Sequence, residues 1–137
     1  MKAKVSIIIF GIAMVITVIP AQAQTNPMPD ATFKIVSQID QQSGDTIRYN
    51  GVFLVRGNEL KWGPNARDAT VFAVESGVGT WDKATNTGVV TCNVKFADFA
   101  GTVKFIGEKG WLIIETVLEF DGQSSKDRLF AETVIYE

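Results

Sequence analysis

From residue 32 onward the apolar residues recur at every second position, in short runs that each end in Gly, Asn or Asp. A side-chain period of two is that of a β-strand with one buried face, and Gly, Asn and Asp are the residues that turns require. No stretch after residue 32 carries the period of an amphipathic helix. The pattern predicts strands at Thr32–Ile39, Thr46–Arg56, Glu59–Trp62, Thr70–Glu75, Val78–Asp82, Gly88–Phe96, Thr102–Ile106, Trp111–Phe120 and Arg128–Tyr136. If neighbouring segments merge, about eight strands result, joined as a meander of hairpins.

One hairpin is specified to the residue. Gly57-Asn58 is a two-residue turn whose backbone twist suits paired strands. It sets Arg56 opposite Glu59, Val55 opposite Leu60 and Phe53 opposite Trp62, so the apolar side chains share one face and the charges pair. A slip of one residue would break both features. A second turn is expected within Gly107-Glu108-Lys109-Gly110. On the strand after it, Leu112, Ile114, Leu118 and Phe120 form the more apolar face, and Trp111, Ile113, Glu115, Val117 and Glu119 form a mixed one. Strand Arg128–Tyr136 is two-sided as well, with Phe130, Val134 and Tyr136 around Glu132. Two-sided strands suit a closed barrel, or a sheet with a subunit interface.

The start of the chain reads differently. Two lysines lie within Met1–Lys4, Val5–Ile19 is almost wholly apolar, and Pro20 leads to Ala21-Gln22-Ala23. These are the three parts of a secretory signal peptide. The apolar run is shorter than the ~20 residues of a membrane span, and no cysteine follows it to carry a lipid, so no stable membrane anchor is expected. The expected organisation is a signal peptide over 1–23, an extended leader over 24–31 stiffened by Pro27 and Pro29, and one small antiparallel all-β barrel over 32–137. Export places the product in the periplasm or the medium.

Composition narrows the chemistry. Removing the signal peptide with its two lysines leaves a net charge of about −4, against the basic stripe that nucleic acid requires. The chain has no histidine and one cysteine. Ser-His and Cys-His nucleophiles and most zinc sites therefore drop out, and an internal disulfide is impossible. Cys92 alternates with Val90, Val94 and Phe96, which predicts a buried, inert thiol. No calcium-loop spacing is present, and no metal or cofactor is expected.

The remaining acid–base candidates are carboxylates, lysines and tyrosines, and among them the strand carboxylates Glu75, Glu115 and Glu132 have apolar neighbours. Forced inside, each would have a raised pKa suited to proton transfer, whereas on an alternating strand each faces water. No catalytic residue is assigned. Trp81 and Trp111 stand at strand ends, where aromatic rings line ligand pockets or cap cores, and they are the expected ligand-binding residues. Trp62 belongs to the core face of its hairpin.

From Gly51 onward the chain resembles the allene oxide cyclase and dirigent group of calycin-type β-barrels. The resemblance rests on Asn58-Glu59-Leu60 followed by Gly63-Pro64, on Val78-Gly79 before an aromatic strand, on Gly101-Thr102, Phe105, Gly107 and Gly110, and on the ending Val134-Ile135-Tyr136. Ala100 replaces a glycine usual in the group, and no pocket residue is carried over. The resemblance implies an eight-stranded barrel with an apolar cavity, often oligomeric, that binds small hydrophobic molecules and in some members steers their cyclisation. Three readings follow: an exported barrel binding a small apolar molecule, a cofactor-free cyclase or isomerase, and a cell-envelope interaction module that forms a homo-oligomer.

Overall fold

A computed structural model describes residues 25–137. The signal peptide read at 1–23 lies outside the described residues, as does Gln24. The chain forms eight antiparallel strands: β1 (Ala31–Asp40), β2 (Thr46–Arg56), β3 (Glu59–Gly63), β4 (Thr70–Asp82), β5 (Thr87–Phe96), β6 (Phe99–Glu108), β7 (Trp111–Phe120) and β8 (Gln123–Tyr136). Each pairs with the next, and β8 pairs back onto β1, closing a small barrel. Closure removes the exposed sheet edges that would otherwise invite aggregation.

The first hairpin has the expected register, with Arg56 opposite Glu59, Val55 opposite Leu60 and Phe53 opposite Trp62. The second is tighter than expected. Glu108 pairs with Trp111, so the turn is Lys109-Gly110 alone, with both residues at positive φ (52° and 85°). That geometry is the two-residue turn matched to strand twist. Gly107 belongs to β6, where an added Cβ would collide with the Asn86 carbonyl and the Trp81 ring.

The segments expected at Thr70–Glu75 and Val78–Asp82 are one strand, β4, interrupted by a bulge. Val74 faces Val94 while Ser76 faces Asn93, leaving Glu75 as an extra residue on the outer side. β8 carries another: Lys34 faces Thr133 and Ile35 faces Ala131, so Glu132 is extra. A bulge moves later side chains to the opposite face. Phe130 therefore points outward beside Ile113, whereas Val134 and Tyr136 pack on the core. The two-sided look of this strand in the sequence is a change of face halfway along it.

Side chains from all eight strands fill the interior. Phe33, Phe53, Phe72, Phe105, Ile35, Leu60, Ile114 and Leu129 are fully buried. Phe105 is the centre, 5.7 Å from Phe33 and edge-on to Phe53 at 5.6 Å. Thr116 joins this core with its hydroxyl unpaired. Hydroxyls without partners in apolar surroundings lower stability, so a Thr116→Val change of near-equal shape should raise it.

The segment Thr25–Asp30, read from sequence as a leader ahead of the fold, packs against it. Met28 is 3% exposed and part of the core. The Asp30 carboxylate accepts from Gly57 N at 2.8 Å, and the Glu137 amide donates to the Asp30 carbonyl at 3.2 Å. We call it the strap. It lies at the barrel end that also holds the β2–β3, β4–β5 and β6–β7 turns, and the other four turns form the far end.

Because Phe105 joins two other rings across the interior, truncating it leaves a cavity that the ladders cannot close. Phe105→Ala should cost about 3–5 kcal/mol in urea-induced unfolding, with little change in strand content by circular dichroism.

Candidate functional site

Three places on the barrel could meet a partner: the strap end, the outer wall and the far end. Trp81 is at the first. Its ring points inward, edge-on to Phe33 at 6.5 Å, and its indole N–H donates to the Tyr136 hydroxyl at 2.8 Å. That hydroxyl donates in turn to the Asn86 side-chain carbonyl, and Lys83 lies 5.9 Å from the Tyr136 ring centre. Every polar atom of the Trp81–Tyr136 pair is thus in use, and the pair caps the core.

Trp111 is on the opposite face of the sheet. It is 59% exposed on the outer wall, edge-on to Phe130 at 6.3 Å. The barrel wall separates the two tryptophans, so they do not line one pocket. Trp62 packs inside edge-on to Tyr49, and its indole N–H makes no well-formed hydrogen bond. Burial raises the pKa of the Tyr49 hydroxyl above its ordinary value.

Around Trp111 the outer wall is more apolar than a solvated sheet needs to be. Ladder partners Val89, Ile106, Ile113 and Phe130 form one outward row across β5, β6, β7 and β8. The next outward row is polar, with Thr91, Lys104, Glu115 and Arg128 in register. Arg128 donates to the Glu115 carboxylate at 2.7 Å through Nη2.

The three carboxylates singled out in the sequence all stand on this outer side. Glu115 is held by Arg128, Glu132 pairs with Lys34 at 3.3 Å, and Glu75 is exposed at its bulge. Among the described residues no group of three His, Cys, Asp or Glu side chains is placed to hold a metal. Two outer clefts, of about 600 and 550 Å3, are lined largely by exposed polar residues such as Lys34, Arg48, Asn93 and Glu119.

The far end differs. Phe72, buried in β4, meets Phe96 at 5.7 Å; Phe96 meets Phe99 at 5.5 Å; Phe99 stacks on Phe120 at 4.6 Å and 16°. This ladder of rings runs from the core to the surface, ending at Phe120, which is 43% exposed. Beside it an apolar cleft of about 260 Å3 is lined by Phe99, Leu118, Phe120 and the start of β8 from Gln123 to Ser125. The Ser124 hydroxyl, on the face of β8 that it shares with Glu119, is buried without a partner. Local chemistry explains the positions. Ala97-Asp98 and Asp121-Gly122 are two-residue turns, and the aromatic residues flank them at strand ends.

The sequence reading applied the strand-end argument to Trp81 and Trp111 and not to these phenylalanines. The signal was present: Phe96-Ala97-Asp98-Phe99 brackets one turn, and Phe120 precedes Asp121-Gly122. What sequence could not supply was that two separate turns sit side by side at one end of a closed barrel.

Compared with known proteins, the chain matches no family model, no curated protein and no solved structure.

Cys92 is fully buried in β5, and burial pushes its thiol up to about 11 from an ordinary 9.0. The folded chain then holds a proton that the unfolded chain releases, so this contribution is complete below pH 9 and is lost as pH rises toward 11. The stability gap between the wild-type chain and Cys92→Ala should narrow by about 2 kcal/mol over that range, read from urea unfolding at each pH.

Proposed function

We propose that the exported chain is a cofactor-free binding protein that takes a small apolar molecule at the aromatic cleft of its far end. The observation that carries this reading is the stacked Phe99–Phe120 pair, open to solvent on one side and anchored to the core through Phe96 and Phe72 on the other. Burying an aromatic face costs no rearrangement when the rings are already held in place, which favours binding through preorganisation. Phe99, Leu118 and Phe120 form an apolar wall beside the polar side chains of Gln123 and Ser125, the usual composition of a small-molecule site.

The likeness to the allene oxide cyclase and dirigent group supports the same class of ligand but a different place for it. The cavity which that likeness implies would occupy the space taken here by Phe33, Phe53 and Phe105. The cyclase reading needs a carboxylate or tyrosine facing bound substrate. Glu75, Glu115 and Glu132 lie outside the barrel, the Tyr136 hydroxyl is committed to Trp81 and Asn86, and the Tyr49 ring is packed against Trp62 away from the far-end cleft, so binding without catalysis is the better-supported form.

A second reading, an envelope interaction module that self-associates, draws on the outward row Val89, Ile106, Ile113 and Phe130 with Trp111 beside it. The two readings separate by mutation. An anilinonaphthalene dye titrated into the purified chain should bind at one equivalent. Phe120→Ala should weaken it about tenfold while Trp111→Ala leaves it unchanged. Dye binding that depends on Trp111 and not on Phe120, with an oligomer in light scattering that Trp111→Ala dissolves, would move the function to the outer wall.

A further inference from the structure

β3 is short. Its pairing with β4 ends where Glu59 faces Ala73, with one further bond from Val74 N to the Asn58 carbonyl, while β4 runs on to Asp82. Beyond that point β4 has β5 on one side and no strand on the other among the described residues. This leaves an opening in the wall between the β2–β3 turn and the second half of β4.

The strap occupies it. The Asn26 side chain donates to the Gly57 carbonyl at 2.6 Å, and its own carbonyl oxygen accepts from the Met28 amide at 3.0 Å and from the Cys92 thiol at 3.5 Å. Gly57 is thus held at both polar atoms, its carbonyl by Asn26 and its amide by Asp30. Pro27 and the Thr25 carbonyl lie where a side chain at residue 77 would be: a Cβ on Gly77 would come within 2.6 and 2.7 Å of them.

We propose that this opening is a binding groove for an extended segment carrying a carboxamide, then proline, then an apolar side chain, and that residues Thr25–Met28 fill it as a detachable ligand in cis. The groove holds strap side chains on the Gly57 backbone, whose carbonyl takes the Asn26 carboxamide and whose amide takes the Asp30 carboxylate, and it seats Pro27 in the space over Gly77 and Cys92. The strap is joined to the barrel by separate bonds to Gly57, to the Cys92 thiol and, through Asp30, to the Glu137 amide, and not by a ladder, so it opens without unzipping any strand pair. Local openings of this kind need less free energy than global unfolding. The proposal is independent of the far-end cleft, which is at the other end of the barrel.

Cys92 reports on the groove, since the strap covers it. In the full chain its reaction with a disulfide reagent such as dithiobisnitrobenzoate should be slow and almost insensitive to low urea, the mark of local opening. Asn26→Ala removes the bonds to Gly57, Met28 and Cys92 and should speed the reaction about tenfold or more. Gly77→Ala crowds Pro27 and should do the same by a different route, with the thermal unfolding of the barrel little changed in both. A free peptide of sequence Thr-Asn-Pro-Met-Pro at millimolar concentration should then slow labelling of Asn26→Ala by binding the opened groove. Labelling with the full urea dependence of global unfolding in all three chains would overturn the detachable strap. Labelling of Asn26→Ala that the peptide leaves untouched would overturn the binding groove.

Discussion

The ladder between β8 and β1 is the contact on which the rest of the molecule depends. Without it the eight strands are an open meander with two edges, and the rings of Phe33, Phe53 and Phe105 have no enclosed space to meet in. Closure brings the start of β1 and the end of β8 together. The strap, the start of β1 and the end of β8 share one rim, where Asp30 reaches both the Gly57 amide and the Glu137 amide. A closed wall also means that each strand has an inner and an outer face, which sets the chemistry of every residue discussed above.

Closure has irregularities, and these are where function can reside. An eight-stranded barrel can hold either packed side chains or one small ligand, and here Phe33, Phe53 and Phe105 fill the interior. The two proposed binding surfaces lie where the wall is incomplete and where strand ends project. The short β3 produces the first, the groove under the strap. The adjacent turns at Ala97-Asp98 and Asp121-Gly122 produce the second, the aromatic cleft. The bulges at Glu75 and Glu132 bend the strands and place both carboxylates outside, which keeps charge away from a core that has no means of solvating it.

The outer wall shows a division of labour between adjacent rows. Glu115 and Arg128 are direct ladder partners, and their bond holds two long side chains flat beside the apolar row of Val89, Ile106, Ile113 and Phe130. The pair is part-exposed, so its contribution to stability is small, on the order of 1 kcal/mol or less. Its effect is on shape and charge, bordering an apolar surface with a fixed polar margin.

Alternation and turn chemistry were sufficient to read the strands, the register of the Gly57-Asn58 hairpin, the burial of Cys92 and the inner face of β7, because each depends on residues close in sequence. The strand-end aromatics were equally visible, yet which of them stand together was not. Trp81 and Trp111 fall on opposite sides of one wall, and Phe99 and Phe120 on the same side of neighbouring strands, because strand pairing and the counting of bulges decide this over the whole circuit. The strap shows the same limit. Pro27, Met28 and Pro29 read as an extended segment, and they are one. That the segment closes a gap beside Gly77 depends on β3 ending early and β4 continuing, a mismatch that exists only once distant strands are paired.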